Sequence, residues 1–237
     1  MARAPADAVP AGFWARYAAW SLDAACLAPL LAWLGAARWR TDWAALADAG
    51  RALQAQMPHV FDRLLDAGLG PPTALAAQLL ADPRLAASIH ALETALASLL
   101  LAPVLLYALL ALAWSVAFEA SRWQATPGKR LLGLRVVDAD GHRPTFRRVL
   151  LRFLAAGLSW LSLNLGHALA AVPPHLALHD RLSGSRVVRD PAPARLPAWA
   201  RGWLALQAIA AVLAIGWGLQ ALQAAVDAAL LQALGPA

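Results

Sequence analysis

The sequence has very little charge and almost no cysteine for its length. Of its 237 residues, 14% are charged and 60% are hydrophobic, whereas a soluble domain carries about a quarter charged residues. The lone cysteine, Cys26, excludes an internal disulfide and a cysteine-rich metal site. The scarcity of charge excludes a disordered chain and an ordinary soluble enzyme. It indicates an all-α membrane protein with several spanning helices.

Lysine is also nearly absent, since Lys129 is the one lysine among the 20 basic residues. The net charge is nevertheless +6. In a soluble protein this excess would suggest nucleic acid as a partner. In an apolar chain it is better explained by basic loops that face a lipid bilayer with anionic headgroups.

Long apolar runs are abundant, and a spanning helix needs about 20 such residues. Three runs qualify: Tyr17–Ala37, Ala95–Phe118 and Gly202–Leu222. A fourth, Phe153–Val172, is interrupted by glycine and asparagine and ends in a Pro-Pro pair. Most of the 11 tryptophans lie near the predicted helix ends, as expected for an aromatic belt at the membrane interface.

Charge sets the predicted orientation. Residues 119–148 carry seven basic residues against three acids, and residues 173–201 carry five against two. The positive-inside rule places both segments and the N-terminus in the cytoplasm. The segment 38–94 has five arginines against six acids, so we expect it on the other side, as two or three short amphipathic helices.

Two short alternating segments constrain the fourth apolar run. Leu134–Asp138 and Ser185–Arg189 are typical of strands, and they are predicted to form a small cytoplasmic β-hairpin-like element. Strands that pair must share a compartment, so we expect residues 149–172 to re-enter the membrane or to form a bent helical pair. Gly157 and the break at residues 164–166 would supply the turn. The alternative is a plain fourth span.

Acids and bases within the apolar runs are candidate ion- or proton-binding or charge-pair residues. Asp23 lies seven residues after Arg16, and positions i and i+7 share one helix face. A charge inside a span is costly unless it is paired or hydrated. Asp23 is therefore either a titrating carboxylate or the structural partner of Arg16 or Arg152. Glu119 is either interfacial or a partner of Asp23 or Arg16.

The motif that follows the second predicted span is Thr126-Pro127-Gly128-Lys129-Arg130. Its Pro-Gly pair predicts a turn. The upstream glycine and the Ser/Thr after lysine that a phosphate-binding loop requires are both missing. We therefore expect these five residues to face lipid headgroups.

The histidines are the remaining candidates for a metal site. His175 and His179 are four residues apart, a spacing that can ligate zinc on a helix. No further ligand set is evident, so no metal and no cofactor is predicted. A structural role for His179 and Asp180, in capping a helix or binding a basic residue, is favoured. The sequence also lacks a nucleophile motif, and no enzyme activity is expected.

The chain resembles the RDD family of bacterial membrane proteins, which is named for one arginine and two aspartates. Three motifs in the same order carry the resemblance: Gly12–Arg16 with Asp23, Thr126–Asp138, and His179–Val188. By position, the arginine is Arg16 and the aspartates are Asp23 and Asp180. Ser185 stands where threonine is common in the family, which keeps the hydroxyl.

The resemblance implies a domain organisation and a function. Residues 1–190 would form the RDD-like membrane domain, and residues 191–237 an additional C-terminal transmembrane helix and tail. The family suggests transport of ions or small solutes in the bacterial inner membrane, of the cation/proton exchange type. Because three or four helices form a small path, transport would require a homo-oligomer or a membrane partner. The alternative is a non-transporting scaffold or accessory subunit.

Overall fold

The computed structural model describes residues 8–67, 71–189 and 195–234. These residues divide into two compact units. The first contains the residues up to 30 together with 107–215, and the second contains 31–106 together with the residues from 216 onward. The boundary between the two predicted domains, at residues 190–191, lies outside the described residues.

Three long helices dominate the chain: α1 (Phe13–Gln54), α4 (Pro83–Glu119) and α9 (Ala198–Leu234). Within the described ranges, three helical stretches are long and apolar enough to cross a membrane, namely Phe13–Asp66, Pro83–Glu119 and Ala198–Ala228. This confirms three candidate spans, although each helix is longer than predicted. At 1.5 Å per residue the 42 residues of α1 extend roughly 63 Å, about twice the thickness of a bilayer core.

The fourth apolar run is bent. Helix α6 (Phe146–Leu161) is followed by the short α7 (Leu165–Ala168) and a 3₁₀ turn, and the two directions differ by 113°. The reversal occurs at Leu163 and Asn164, which have φ values of 52° and 65°. Asparagine tolerates this left-handed conformation better than most residues. Gly157 was predicted to supply part of the turn, but it lies inside the regular helix α6.

A three-stranded antiparallel sheet joins distant parts of the sequence. Its order is β1 (Val9–Pro10), β3 (Ser185–Arg189) and β2 (Leu134–Asp138). Asp138 pairs with Ser185 and Leu134 with Arg189. The two predicted strands therefore have the expected bounds and pair with each other, whereas β1 was not predicted. Because β2 and β3 are paired, the segment between them leaves the sheet and returns to it.

Strands β2 and β3 are buried on both faces, because their consecutive valines point to opposite sides of the sheet and are all buried. Val136 and Val187 pack with Ala11, Ala18 and Ala200 in one core cluster. The alanines of α1 let the helix backbone approach the sheet closely. Two short helices complete this part of the fold, α5 (Pro127–Leu131) and α8 (Leu178–Ser183). We call the three strands with α5 and α8 the sheet module.

The second unit contains the segment that was predicted as short amphipathic helices. Its described part contains two short helices, of which α2 (Met57–Ala67) is amphipathic and α3 (Pro72–Leu80) is mostly apolar. The remainder of residues 38–94 extends α1 and α4 instead. Asp82 caps α4, because its Oδ1 accepts the backbone N–H of Arg84 at 2.9 Å. The backbone hydrogen bonds from Arg84 and Leu85, together with the side-chain bond from His59, lower the pKa of the Asp82 carboxyl.

Candidate functional site

A buried ion pair links the start of α1 to the sheet module. Arg16 Nη1 lies 2.5 Å from Asp180 Oδ2, and the Asp180 side chain is 0% exposed. Arg152 of α6 contacts the other carboxylate oxygen. Arg16 also donates from Nε to Ala11 O at 2.8 Å and from Nη2 to His175 O at 2.7 Å. Each nitrogen of the Arg16 guanidinium therefore donates a hydrogen bond to an acceptor within the protein.

Asp180 is held by backbone as well as by charge. Its Oδ2 accepts the N–H of Ala177 at 3.0 Å, which satisfies a backbone donor at the beginning of α8. Burial raises the pKa of this carboxyl, but the guanidinium groups of Arg152 and Arg16 outweigh burial and hold the pKa well below its usual range. Asp180 is therefore ionised at neutral pH.

A second buried acid continues the network. Glu119, the last residue of α4, is 3% exposed. Its Oε1 contacts Lys129 Nζ, and its Oε2 lies 3.5 Å from Arg152 Nε. The charges thus alternate along Lys129, Glu119, Arg152, Asp180 and Arg16. Glu119 is not bound to Asp23 or Arg16, as one alternative predicted, while its interfacial position stays a prediction.

Asp23 lies on α1 in a different environment. Its Oδ2 accepts from Thr126 Oγ1 at 2.5 Å. Its Oδ1 accepts from the Gly128 backbone N–H at 2.8 Å and from Trp114 Nε1 at 3.1 Å. The residue is 8% exposed. Three donors from two other parts of the chain therefore bind one carboxylate.

The predicted pairing of Asp23 with Arg16 or Arg152 is wrong. Seven residues of helix separate Asp23 from Arg16, about 10 Å along the axis, and the Arg16 guanidinium is directed to Asp180. Arg152 is engaged by Asp180 and Glu119. Among the described residues, no cationic group lies within 4.0 Å of Asp23.

The short helix α5, with its N-cap Thr126, supplies two of the three hydrogen-bond donors to Asp23. Thr126 is its N-cap, and the hydroxyl accepts from the Lys129 N–H at 3.4 Å while it donates to Asp23. Pro127 at the first helical position has a suitable φ and needs no hydrogen-bond acceptor. A Cβ at Gly128 would collide with Ala19 O and lie 2.9 Å from the Asp23 carboxyl carbon. Glycine is therefore required by this close approach.

This geometry corrects the prediction that the Thr126–Arg130 motif faces lipid headgroups. Thr126 and Gly128 are buried against Asp23, and Lys129 is bound to Glu119. Pro127 is half-buried. Arg130 does point outward, with its guanidinium carbon 4.5 Å from the centre of the Trp123 ring.

The two histidines at metal-like spacing do not converge. His175 Nδ1 lies 3.0 Å from Ala170 O, while His179 Nε2 lies 3.2 Å from Arg152 Nη2. The His179 ring is instead close to that of His167, with 5.0 Å between their centroids. Burial, followed by the charge of Arg152, lowers the pKa of His179 to about 2. His179 is therefore neutral at physiological pH.

Within the described part of the chain, one group has the geometry of a metal site, Asp138 with Asp140 and His142. Asp138 Oδ1 accepts the backbone N–H groups of Asp140 and His142 at 3.0 and 2.8 Å. Arg148 Nη1 lies 3.2 Å from Oδ2. These bonds fix the turn after β2 and account for the cluster without an ion.

Sequence reasoning missed a polar cluster in the second unit. Asp42, 6% exposed, lies on α1 and contacts Arg38 Nε at 2.8 Å. Ser98 Oγ lies 3.0 Å from Asp42 Oδ1 and 2.6 Å from Arg38 Nη2. The spacing of Arg38 and Asp42, i and i+4, was an available signal. The contribution of Ser98 had no local signal.

Apolar candidate spans with a small sheet fixed to them by buried charges are the features of a helical membrane protein. The particular family follows from comparison with known proteins. The model of the RDD family matches residues 10–184, so the chain belongs to the RDD family. Arg16, Asp23 and Asp180 all lie inside the matched range, whereas β3 and α9 lie beyond it.

One curated relative is the uncharacterized protein YxaI of Bacillus subtilis (strain 168), which is 36% identical over 69 residues. The match covers 29% of this chain and 46% of YxaI, so the chain spans about half the length of that relative. No solved structure matches the chain.

Proposed function

We propose that this RDD protein is a non-transporting scaffold or accessory subunit of the bacterial inner membrane, and not an enzyme. The observation that supports this role is the saturation of the charges around Asp180 and Glu119. Arg16, Arg152, Asp180 and Glu119 are all engaged by one another, by Lys129 or by backbone groups. Groups held this way stabilise one arrangement of helices and sheet module.

The chemistry of Asp180 supports a structural role. A transported cation would need a carboxylate that can exchange its partners or its proton. Asp180 is fully buried and contacts two guanidinium groups and a backbone N–H. Removing one partner of such a pair leaves an uncompensated buried charge, at a cost of about 3–5 kcal/mol. This cost opposes repeated opening of the pair in a transport cycle.

The same proposal places the sheet module and the N-terminus in the cytoplasm, with the lipid bilayer as the main partner. The support is the basic excess of residues 119–148 and 173–201. Arg130 is the residue of the Thr126–Arg130 motif best placed for anionic headgroups, since it is exposed and stacked on Trp123. Tryptophan favours the headgroup level.

Transport of an ion or small solute, by a homo-oligomer, is the second candidate. The observation that favours it is the environment of Asp23. Its three donors, from Thr126, Gly128 and Trp114, are all uncharged. Among the described residues its negative charge is thus not neutralised by a contacting cation, in contrast to that of Asp180.

Flux through proteoliposomes separates the two functions. Wild type, Asp23→Asn and the control Asp140→Asn are reconstituted, and proton and sodium movements are followed against protein-free liposomes. The scaffold proposal expects no flux above the protein-free background for any of the three. Asp140 is a suitable control because it is exposed.

Thermal unfolding of the same samples completes the test. Asn keeps the shape of Asp23 but puts an amide NH₂ against a donor, so the scaffold proposal expects Asp23→Asn to lower the midpoint. A wild-type flux that Asp23→Asn abolishes, while the unfolding midpoint is kept, would overturn the scaffold proposal in favour of transport.

A further inference from the structure

Helix α6 has one buried face and one exposed apolar face. Val149, Arg152, Ala155 and Ser159 form the buried face. The opposite side carries leucines at positions i, i+3, i+7 and i+10, and each of them is at least 46% exposed: Leu151, Leu154, Leu158 and Leu161. A continuous apolar surface is uncommon on a monomeric soluble domain, so the exposed face of α6 needs a partner that covers it.

Two contacts show that α6 runs beside α4 in the opposite direction. Near the beginning of α6, Arg152 Nε lies 3.5 Å from Oε2 of Glu119, the last residue of α4. Near the end of α6, the Trp160 ring stacks on the Tyr107 ring, with 6.0 Å between the centroids and 11° between the planes. Tyr107 precedes Glu119 by 12 residues of helix, roughly 18 Å. Helix α6 therefore follows the candidate span α4 away from the sheet module.

The chain turns back before it could cross a bilayer. The 16 residues of α6 extend roughly 24 Å, less than the core thickness of about 30 Å. The chain direction then changes by 113°, at Leu163 and Asn164. At His175 the chain is again beside the start of α1, because Arg16 Nη2 donates to His175 O at 2.7 Å. Both ends of the segment therefore lie next to the sheet module.

The turn between α6 and α7 exposes leucines. Leu161 and Leu163 are 84% and 88% exposed. The run 153–172 contains no aspartate, glutamate, lysine or arginine. On α4, Leu109 follows Tyr107 by two residues and is 64% exposed. The end of α6 and the apolar surface of α4 therefore lie at the same level, and one apolar partner can cover both.

We infer that residues 146–172 form a lipid-binding helical hairpin, whose turn inserts among the acyl chains of the leaflet next to the sheet module without crossing the bilayer. Acyl chains suit an uncharged surface of leucines, and they surround α4 at this level wherever α4 spans. Arg147, exposed at the start of α6, is then at the level of the anionic headgroups. The inference rests on the membrane location in the proposed function and applies to a scaffold and to a transporter alike.

The test is electron paramagnetic resonance of spin-labelled full-length protein, in nanodiscs of phosphatidylethanolamine and phosphatidylglycerol. Single labels are placed with Leu163→Cys, Leu109→Cys and Leu182→Cys in a Cys26→Ser background. Collisions of each label with oxygen, which is enriched in lipid, are compared with those of a water-soluble nickel chelate. The oxygen-to-nickel ratio at residues 163 and 109 should be severalfold higher than at residue 182. Leu182 is the matched control, because it is an exposed leucine of the sheet module.

The label at residue 109 separates two kinds of failure. A nickel-accessible label at residue 163, with an oxygen-rich label at residue 109, overturns the hairpin and leaves the membrane location intact. Nickel access at both positions overturns the membrane location and the hairpin with it. Shielding of residue 163 from both reagents, with spin–spin broadening, assigns the turn to a second copy of the chain and overturns lipid as the partner.

A charge in the turn gives an independent readout. Leu161→Asp puts a carboxylate among acyl chains, which is costly, so we expect a lower unfolding midpoint and less folded protein in size-exclusion chromatography. Leu182→Asp is the control and should change neither. A leucine that is 84% exposed would tolerate aspartate in water, so equal behaviour of the two variants overturns the inference. If Leu161→Asp yields no folded protein, the spin-label ratios decide.

Discussion

Arg16 and Asp180 are separated by 164 residues of sequence, and their side chains meet at 2.5 Å with both largely buried. The contact joins the first turn of α1 to α8 in the sheet module. Because Arg152 shares the same carboxylate, the contact also fixes α6. One ion pair therefore holds three elements of the first unit together.

Arg16→Ala should be strongly destabilising. It leaves Asp180 buried with one cation in place of two and deprives two backbone carbonyls of their donor. We expect a loss of about 3–5 kcal/mol, measured by chemical denaturation in detergent. The control Arg147→Ala removes an exposed arginine of α6 and should change little. Equal stability of the two variants would contradict the structural role of Arg16.

Arg16→Lys should recover only part of that loss. Lysine keeps the charge, but its single nitrogen cannot reach Asp180, Ala11 O and His175 O in the geometry of the guanidinium fork. The midpoint of Arg16→Lys should lie between those of Arg16→Ala and wild type. A fully wild-type midpoint would mean that charge alone matters at this position.

Gly128→Ala should separate α5 from α1. The added methyl would overlap Ala19 O and the Asp23 carboxyl group, so the Asp23 bonds to α5 must lengthen. We expect a lower unfolding midpoint and lower yield of folded protein in size-exclusion chromatography. Gly157→Ala is the control, because nothing lies within 4 Å of its added Cβ and alanine favours the helix. That variant should be as stable as wild type or more so.

Stability should fall as the pH decreases from about 6.5. The pKa of His179 is about 2 in the folded protein and about 6.5 when unfolded, so between these values only the unfolded chain binds the proton. The slope from this group reaches about 1.4 kcal/mol per pH unit. Asp180, whose folded pKa is also lowered, contributes stability that is lost as the pH falls below about 4.

Denaturation at pH 7, 6 and 5 measures this dependence. His179→Gln, which retains an acceptor for Arg152, should flatten the slope whatever its effect on absolute stability. His142→Gln removes an exposed histidine and should leave the slope unchanged. A steep slope that persists in His179→Gln would assign the proton uptake to another group.

The pairing of β2 with β3 predicts membrane topology. Single cysteines at His142 and Arg189, introduced into a Cys26→Ser background, should react with an impermeant reagent from the same side of oriented vesicles. The register places Asp138 against Ser185, so no single crossing of the intervening segment is compatible with the sheet. Labelling from opposite sides would contradict the fold.

The local sequence pattern was enough to predict the elements with a strong pattern of apolar residues. The valine pairs of β2 and β3 predicted the strands, and the three apolar runs predicted the candidate spans. The ends of the helices were harder, because α1 continues through Arg38, Arg40 and Asp42, where composition suggested a surface segment. The i,i+4 pair of Arg38 and Asp42 makes this charge compatible with a continuous helix.

The partners of the charged residues could not be predicted from sequence. Arg16 and Asp23 share a helix face, which suggested a mutual pair, yet each is bound by residues more than 90 positions away. Such contacts depend on the positions of α5 and α8, which tertiary packing determines. Strand β1 has only two residues and therefore no periodicity to detect.

The strand order also bears on biosynthesis. Strand β3, which lies in the middle of the sheet, is the last of the three to leave the ribosome. At about 5–20 residues per second, the 164 residues between Arg16 and Asp180 take on the order of ten to thirty seconds to translate. During this interval Arg16 is without its carboxylate partner, and the sheet closes only after β3 has been synthesised.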